Sequence, residues 1–289
     1  MDARNTKRVR EAFAYCESMA RAHYENFPVA SLALPRRIRP HVAAIYAFAR
    51  TADDFADEGD SEAGERIRLL DEWEGNLDRA YEGNASHPVF IALTETIRQT
   101  GIPKTHMADL LRAFRMDVSI KRYPSFPNVL EYCRYSANPV GRIVLHLFDA
   151  SREEALIPSD ALCTGLQLAN FYQDFFIDWR RGRLYVPLDD LARFGYTESD
   201  IERGVCDDRF RALMAFQVDR ARRFLQNGAP LLNMISGRLR LELSMTLRGG
   251  LAILDRIAAA GYDVLHHRPA LTAWDKTRIL FGAVLKSPP

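Results

Sequence analysis

Residues 167–178 read QLANFYQDFFID, and this stretch decides the fold. At about 100° per residue, Gln167, Asn170, Asp174 and Asp178 share one face of a helix, while apolar residues cover most of the remaining circumference. A helix with so much apolar surface is buried, and its polar stripe then faces an internal seam instead of bulk water. The stretch therefore predicts a buried helix with two aspartates four residues apart.

A second acidic stripe lies on an earlier predicted helix, where Tyr46, Arg50, Asp53 and Asp57 fall on one face. Like charges four residues apart destabilise a helix by about 0.2–0.5 kcal/mol. Burying uncompensated carboxylates costs several kcal/mol more, so seams of this kind need cations. For this stripe alone, the alternative is a solvated helix end that continues into residues 58–60. That alternative does not explain the stripe in 167–178, which is surrounded by apolar residues.

The ligand atoms in both stripes are carboxylate and amide oxygens. These hard donors favour Mg²⁺ or Mn²⁺ over zinc or iron. A di-iron bundle would need Glu-x-x-His, and none of the seven histidines has a glutamate three residues before it. Because Mg²⁺ commonly completes its shell with substrate phosphate oxygens, the two stripes predict a diphosphate held by bridging metal ions beside an apolar wall for the substrate tail.

Helical periodicity dominates the rest of the chain, so we expect an all-α protein of one domain. Pro139 and Pro158 fall inside predicted helices and should bend or interrupt them. The predicted helices are 7–24, 37–58, 62–81, 87–100, 105–118, 126–148, 152–181, 207–227, 237–260 and 271–285.

Composition narrows the classes of function. Of the 289 residues 47% are hydrophobic, which excludes a disordered chain, and 39 basic residues against 38 acidic ones leave no basic excess for a nucleic acid. The four cysteines show no CxxC spacing, which favours free thiols and a cytoplasmic compartment. With no apolar run long enough for a membrane span, any membrane contact would be peripheral, through a surface patch at the inner face of the membrane.

Two further motifs accompany the stripes. Tyr132 is followed by the run Asn138-Pro139-Val140-Gly141, and residues 181–187 read RGRLYVP. Together and in this order, the stripes and motifs resemble the squalene/phytoene synthase family over about residues 10–282.

This resemblance implies an all-α isoprenoid synthase fold of the class I terpenoid synthase type, with residues 1–289 as one domain. In that fold two aspartate-rich helices face each other across a central cavity. The resemblance also implies several Mg²⁺ ions bound with the substrate diphosphate. The metal ligands would be Asp53, Asp57, Asn170, Asp174 and Asp178. Tyr46 and Arg50 would join the aspartates as catalytic residues near the diphosphate, where arginine offers a bidentate fork.

The same resemblance assigns a set of residues to substrate binding: His23, Asn26, Phe27, Tyr132, Val140, Gly141, Gln167, Phe171, Tyr185 and Arg268. Gln167 would support the metal ligands, and Tyr185 would lie near the diphosphate. Arg268 would keep the role of one arginine of a pair that relatives often carry after a Tyr-Asp, with His267 in place of the other. The rings of Tyr132 and Phe171 would stabilise a carbocation, with plain core packing as the open alternative.

Within the family the chain most resembles the hydroxysqualene synthases of bacterial hopanoid biosynthesis, in residues 23–29 and 170–174. Glu25 and Gln173 stand where many relatives that condense two prenyl diphosphates carry lysine and arginine, which favours a site for one diphosphate. The expected reaction converts presqualene diphosphate and water to hydroxysqualene, without NADPH and alongside other enzymes of the squalene pathway. Two alternatives stay open: head-to-head condensation of farnesyl diphosphate or a longer prenyl diphosphate, and a non-catalytic assembly or lipid-binding relative.

Overall fold

Helices joined by turns make up the residues that the structure, a computed structural model, describes: 3–22, 35–57 and 62–285. These ranges contain no β-strand, only an isolated parallel bridge between Arg122 and Leu184, so the predicted all-α class is confirmed. The helices are α1 (Ala3–Ala22), α2 (Arg39–Asp57), α3 (Ala63–Tyr81), α4 (Pro88–Thr100), α5 (Lys104–Ser119), α6 (Phe126–Ser136), α7 (Asn138–Leu147), α8 (Glu153–Gln173), α9 (Phe175–Arg180), α10 (Leu188–Arg193), α11 (Glu198–Glu202), α12 (Asp208–Gly228), α13 (Leu231–Met234), α14 (Gly237–Ala259) and α15 (Ala273–Val284).

Contacts along the chain divide it into two units, described separately below. The N-terminal unit comprises the described residues up to Ser119 together with Ile143–Asp149, and the C-terminal unit comprises Ile120–Arg142 and the described residues from Ala150 onward. The assignment of residues 1–289 to one domain stays a prediction.

Helix α2 is central to the N-terminal unit and packs against α1, α3, α4 and α5. Its Phe48 is fully buried and lies 6.2 Å, ring centroid to centroid, from Trp73 of α3. The indole Nε1 of Trp73 donates to the Phe48 carbonyl at 3.2 Å, and the Trp73 ring meets Phe90 of α4 at 4.4 Å. These contacts fix the rotation of α2 and leave its acidic stripe on the less buried side.

Helices α8 and α12 approach to backbone contact in the C-terminal unit. A Cβ atom on Gly228 of α12 would lie 2.7 Å from the Cα of Leu162 on α8, and a Cβ on Gly165 of α8 would lie 2.8 Å from the backbone nitrogen of Leu225. Only glycine fits at these two crossing points, because any larger side chain would meet backbone atoms of the facing helix.

A buried polar network ties the end of α8 to α10 and α12. The Tyr172 hydroxyl donates to Gln217 Oε1 at 3.0 Å, and Gln217 Nε2 donates to Asp190 Oδ2 at 2.9 Å. Arg220 completes the network through Nη1, 2.5 Å from Asp190 Oδ2, and its guanidinium covers the ring of Phe126 at 3.9 Å. Each buried polar group is thereby paired, so the network orients the helix turn just before Asp174.

Helix breaks were predicted with mixed success. The predicted helix 126–148 is interrupted at Ala137, as expected for Pro139, whereas α8 continues through Pro158. The predicted helix 152–181 is wrong as one piece, because it ends at Gln173 and resumes at Phe175. Asp174, between them, has φ −97° and ψ 14°, and no proline or glycine lies nearby to announce the break. The short helices α10, α11 and α13 were not predicted, since their four to six residues are too few to show a helical period.

The cysteines all carry free thiols; Cys16 and Cys133 are buried, and Cys163 and Cys206 are partly buried. Among the described residues, no helix combines the length and the apolar character needed to cross a bilayer.

Candidate active site

The first acidic stripe lies on the C-terminal half of α2. Asp57 is exposed, and Tyr46, Arg50 and Asp53 are partly buried. Arg50 Nη1 lies 3.4 Å from Asp53 Oδ2, and Nη2 lies 2.5 Å from Asp54 Oδ1. Burial raises the pKa of Tyr46, although Arg50 opposes the shift, so its hydroxyl stays protonated as a hydrogen-bond donor. Arg50 thus partly neutralises the aspartates beside a tyrosine that can donate.

The second stripe spans α8 and α9 in the C-terminal unit. Asn170 is exposed, while Gln167, Asp174 and Asp178 are partly buried, so the four polar residues do share the less buried side. The stripe survives the helix break, because the Asp174 amide still donates to the Asn170 carbonyl and the Asp178 amide to the Asp174 carbonyl, each at 2.9 Å.

Asp174 is paired with Arg268, which lies in the segment between α14 and α15. Arg268 Nε bonds Asp174 Oδ1, and Nη2 lies 3.3 Å from Oδ2, a bidentate arrangement that raises the pKa of the arginine. The neighbouring Gln173 donates from Nε2 to the Pro269 carbonyl at 2.6 Å. The adjacent side chains of Gln173 and Asp174 therefore bind Pro269 and Arg268, which are adjacent in the segment between α14 and α15. The helix break coincides with these contacts, and no pattern in the local sequence predicted it.

Aromatic rings gather beside the second stripe. Phe171 and Tyr185 stack face to face, with centroids 3.7 Å apart and planes 5° from parallel, and Tyr132 lies 6.0 Å and 5.7 Å from them. All three are buried, so three residues assigned to substrate binding do come together. The stack also shows that one face of Phe171 is used for packing, which supports the packing alternative for that face.

Tyr123 belongs to this cluster and was not predicted. Its ring stacks on Tyr185 at 5.8 Å and lies 5.7 Å from Tyr132. Backbone pairing places it there, since the Leu184 amide donates to the Lys121 carbonyl at 3.0 Å and the Leu188 amide to the Tyr123 carbonyl at 2.9 Å. The only sequence signal was an aromatic residue in a proline-bounded extended segment, which does not identify a partner.

The Asn138–Gly141 motif lies where α7 meets α8. The Asn138 side chain accepts a hydrogen bond from the Thr164 hydroxyl at 3.0 Å. A Cβ on Gly141 would stand 2.6 Å from both Cys163 Sγ and Ser159 Oγ. The structure thus places Gly141 in a tight helix contact, with the adjacent Val140 partly buried. His23, Asn26 and Phe27, also assigned to substrate binding, lie outside the described residues.

The donor set of both stripes fits Mg²⁺, since Asp53, Asp57, Asn170, Asp174 and Asp178 offer only oxygen atoms. Within the described ranges, no three His, Cys, Asp or Glu side chains converge on a common metal position. Ions held here would therefore take further ligands from water and substrate, as Mg²⁺ commonly does. The guanidinium groups on Asp53, Asp54 and Asp174 indicate where positive charge is required.

A comparison with protein families decides the relationship, because the squalene/phytoene synthase model matches residues 20–275. The chain belongs to the squalene/phytoene synthase family. Membership confirms the resemblance read from the motifs.

Individual relatives of this squalene/phytoene synthase family member carry names of different reactions. A hydroxysqualene synthase from Sinorhizobium fredii is 36% identical over 89% of this chain and 91% of its own, and a phytoene synthase from Arthrospira platensis is 30% identical over 96% and 94%. The crystal structure of squalene synthase HpnC from Alicyclobacillus acidocaldarius is similar with a TM-score of 0.84 and 41% identity, covering 88% of this chain and 96% of that one. These similarities confirm the class I terpenoid synthase fold and an isoprenoid-synthesising enzyme.

Proposed function

We propose that this enzyme converts presqualene diphosphate and water to hydroxysqualene and diphosphate, with Mg²⁺ and without NADPH. The observation that carries the proposal is the use of Gln173. Its amide is committed to the Pro269 carbonyl at 2.6 Å, so the position beside Asp174 contributes no positive charge. A site with fewer cations suits one diphosphate better than two.

Arginine side chains would stabilise the departing diphosphate. Arg50 and Arg268 each already face carboxylates, so each is oriented along an aspartate stripe. As the C–O bond breaks, charge develops on the diphosphate oxygens, and fixed guanidinium donors lower the barrier where that charge appears. Bound Mg²⁺ would supply Lewis-acid stabilisation of the same departing oxygens, with Asp53, Asp57, Asn170, Asp174 and Asp178 as its protein ligands.

The aromatic cluster would control the cation that remains. Tyr132 and Phe171 are held by ring contacts and buried, so they present a rigid apolar surface. Such a surface limits access of water to the rearranging cyclopropylcarbinyl cation, and electron-rich ring faces lower its energy. Addition of one water oxygen to the cation and loss of a proton then give the hydroxyl group. No hydride donor is needed for this outcome, in contrast to a reductive route to squalene.

Head-to-head condensation is the second candidate, favoured by the phytoene synthase from Arthrospira platensis, which aligns with 96% of this chain. Such an enzyme would make presqualene diphosphate, squalene or phytoene from two prenyl diphosphates. The retained aspartates on both stripes are equally suited to it, whereas the neutral Gln173 is less so.

Side-by-side product analysis distinguishes the two candidates. The purified chain is incubated with Mg²⁺ and presqualene, farnesyl or geranylgeranyl diphosphate as the only isoprenoid, without NADPH. We expect hydroxysqualene from presqualene diphosphate and no C30 or C40 product from the other two. Presqualene diphosphate accumulating from farnesyl diphosphate, or phytoene from geranylgeranyl diphosphate, would instead support condensation.

A further inference from the structure

Exposed apolar side chains are concentrated on α15. Of the nine large hydrophobic residues that are exposed among those the structure describes, five lie between positions 274 and 285, and the other four are scattered over α1, α8, α9 and α13. The five are Trp274, Leu280, Phe281, Val284 and Leu285, and Trp274 and Leu285 are 73% and 75% exposed. Scattered apolar residues are normal on a protein surface, but a contiguous group marks a binding surface.

Helix α15 is amphipathic, and three of these residues lie on one face. At about 100° per residue, Trp274, Phe281 and Leu285 fall within about 40° of one another. On the opposite side Asp275 and Ala283 are buried, where α15 packs against α14. The apolar stripe is therefore the face that α15 turns to solvent.

The exposed charged residues on α15 itself are both positive. Lys276 and Arg278 are the exposed charged residues of α15, while its one acid, Asp275, is buried and paired with Arg256 at 2.7 Å. At about 100° per residue Arg278 lies about 40° from Trp274, whereas Lys276 lies on the other side of the helix. An exposed apolar stripe bordered by a cation is complementary to the surface of an anionic bilayer.

A groove of about 720 Å³ continues this surface between α15 and helices α12 and α14. Leu225, Leu251 and Phe281 contribute to an apolar lining, and its charged residues are three arginines against the single Asp255. Arg248 packs closely there, since a Cβ on Gly282 would lie 2.7 Å from its Nη1. The groove thus offers an apolar space and its lining carries a net positive charge. It therefore has the same chemical character as the exposed stripe of α15.

We infer that α15 and this groove form a docking surface for a bilayer containing anionic phospholipid. The stripe of Trp274, Phe281 and Leu285 enters the interface between headgroups and acyl chains, and Arg278 lies at the level of the lipid phosphates. This inference does not depend on which isoprenoid reaction the enzyme performs. It assigns peripheral binding to one helix.

Vesicle flotation tests the surface with the full chain. We expect flotation with phosphatidylcholine vesicles that contain phosphatidylglycerol, and much less with phosphatidylcholine alone or when NaCl is raised from about 0.05 M to about 0.5 M. Phe281→Ser should weaken partitioning about tenfold or more, and Arg278→Gln about fivefold, from a contribution of ~1 kcal/mol per cation near an anionic surface. Turnover of detergent-solubilised substrate should not change in either variant.

Matched controls come from the same unit. Ile157→Ser removes an apolar side chain that is 78% exposed on α8, and Arg238→Gln removes an exposed cation at the start of α14; neither should alter flotation. Wild-type tryptophan emission should shift to the blue on binding, and Trp274→Phe should remove most of that shift, since Trp73 is buried and Trp179 is partly buried beneath the Arg122 guanidinium.

Three results would overturn the inference. They are absence of flotation, equal losses in Phe281→Ser and Ile157→Ser, and a dimer by light scattering that Phe281→Ser dissociates. The last would assign the surface to a second copy of the chain.

Discussion

Asp174 is the residue on which most of the second stripe depends. It sits at the break between α8 and α9, carries the Arg268 guanidinium, and follows the buried network that begins at Tyr172. We expect Asp174→Asn to lower kcat about 100-fold or more, since loss of one ligand charge removes several kcal/mol of leaving-group stabilisation. The fold should persist, because relief of repulsion with Asp178 offsets the lost ion pair.

Asp189→Asn is the matched control, since Asp189 is exposed on α10 and belongs to neither stripe. Steady-state kinetics at saturating Mg²⁺, with thermal melting in parallel, measures the effect. Undiminished kcat in Asp174→Asn would refute the assignment, and so would equal losses in the two variants.

A separate prediction at the residue scale concerns Arg268. Its guanidinium occupies the Asp174 carboxylate and competes there with any other cation. Arg268→Gln should therefore strengthen Mg²⁺ binding severalfold in the absence of substrate, a modest effect because the arginine side chain is half exposed. The same variant should lower kcat/KM, because a donor to the leaving group is lost.

Calorimetric titration of the chain with Mg²⁺ alone tests the competition, and Arg203→Gln, which removes a cation paired with Asp200 elsewhere, serves as control. Weaker Mg²⁺ binding in Arg268→Gln would contradict the account, since it would make Arg268 a support for the metal site instead of a competitor.

Among the elements, the α8–α12 crossing holds the C-terminal unit together. Gly228→Ala should lower the free energy of unfolding by at least about 1–3 kcal/mol, because the new methyl group meets the backbone of Leu162. Gly249→Ala, in α14, is the control, since a Cβ there meets nothing within 4 Å and alanine favours a helix by about 1 kcal/mol. Denaturant unfolding of the two variants should therefore give changes of opposite sign. A neutral Gly228→Ala would mean that the two helices need not approach so closely.

The stability of helix α15 should depend on pH, because Asp275 titrates in its first turn. The Asp275 carboxylate accepts hydrogen bonds from the Thr272 amide and hydroxyl, each at 2.8 Å, and these bonds together with Arg256 lower the pKa of Asp275 below its ordinary 3.8. A lowered folded-state pKa stabilises the helix above about pH 4, and that stabilisation is lost as the pH falls through the lowered value.

Amide hydrogen exchange checks this dependence, with rates corrected for intrinsic exchange at each pH. Protection of α15 should be steady between about pH 6 and about pH 4 in the wild type and fall as the pH drops further, but be low and nearly constant in Asp275→Asn. Asp200→Asn removes the equivalent capping box of α11 and should leave α15 unaffected. Equal protection in the wild type and Asp275→Asn would rule out the cap as the source.

Sequence periodicity predicted the long helices and both aspartate stripes, because an amphipathic helix of several turns repeats its signal. It could not predict the break at Asp174, which coincides with contacts to residues almost a hundred positions later. The same holds for Tyr123, whose place is set by backbone pairing with residues 184–189. Local pattern specified which side chains share a face, and tertiary contact decided which faces meet.

At the scale of the whole molecule, the aspartates of both stripes, the neutral Gln173 and the aromatic cluster support the proposed water-quenched ionisation. Charge balance and apolar shielding together lead to that assignment. A reductase with the same fold would consume a nicotinamide cofactor, whereas this reaction would take its oxygen from solvent.

The most direct test is incubation of the purified enzyme with presqualene diphosphate and Mg²⁺ in ¹⁸O-labelled water, with and without NADPH, followed by mass spectrometry of the C30 product. We predict hydroxysqualene carrying one labelled oxygen in equal yield in both samples. Squalene formed only in the sample with NADPH, or hydroxysqualene without the label, would contradict it.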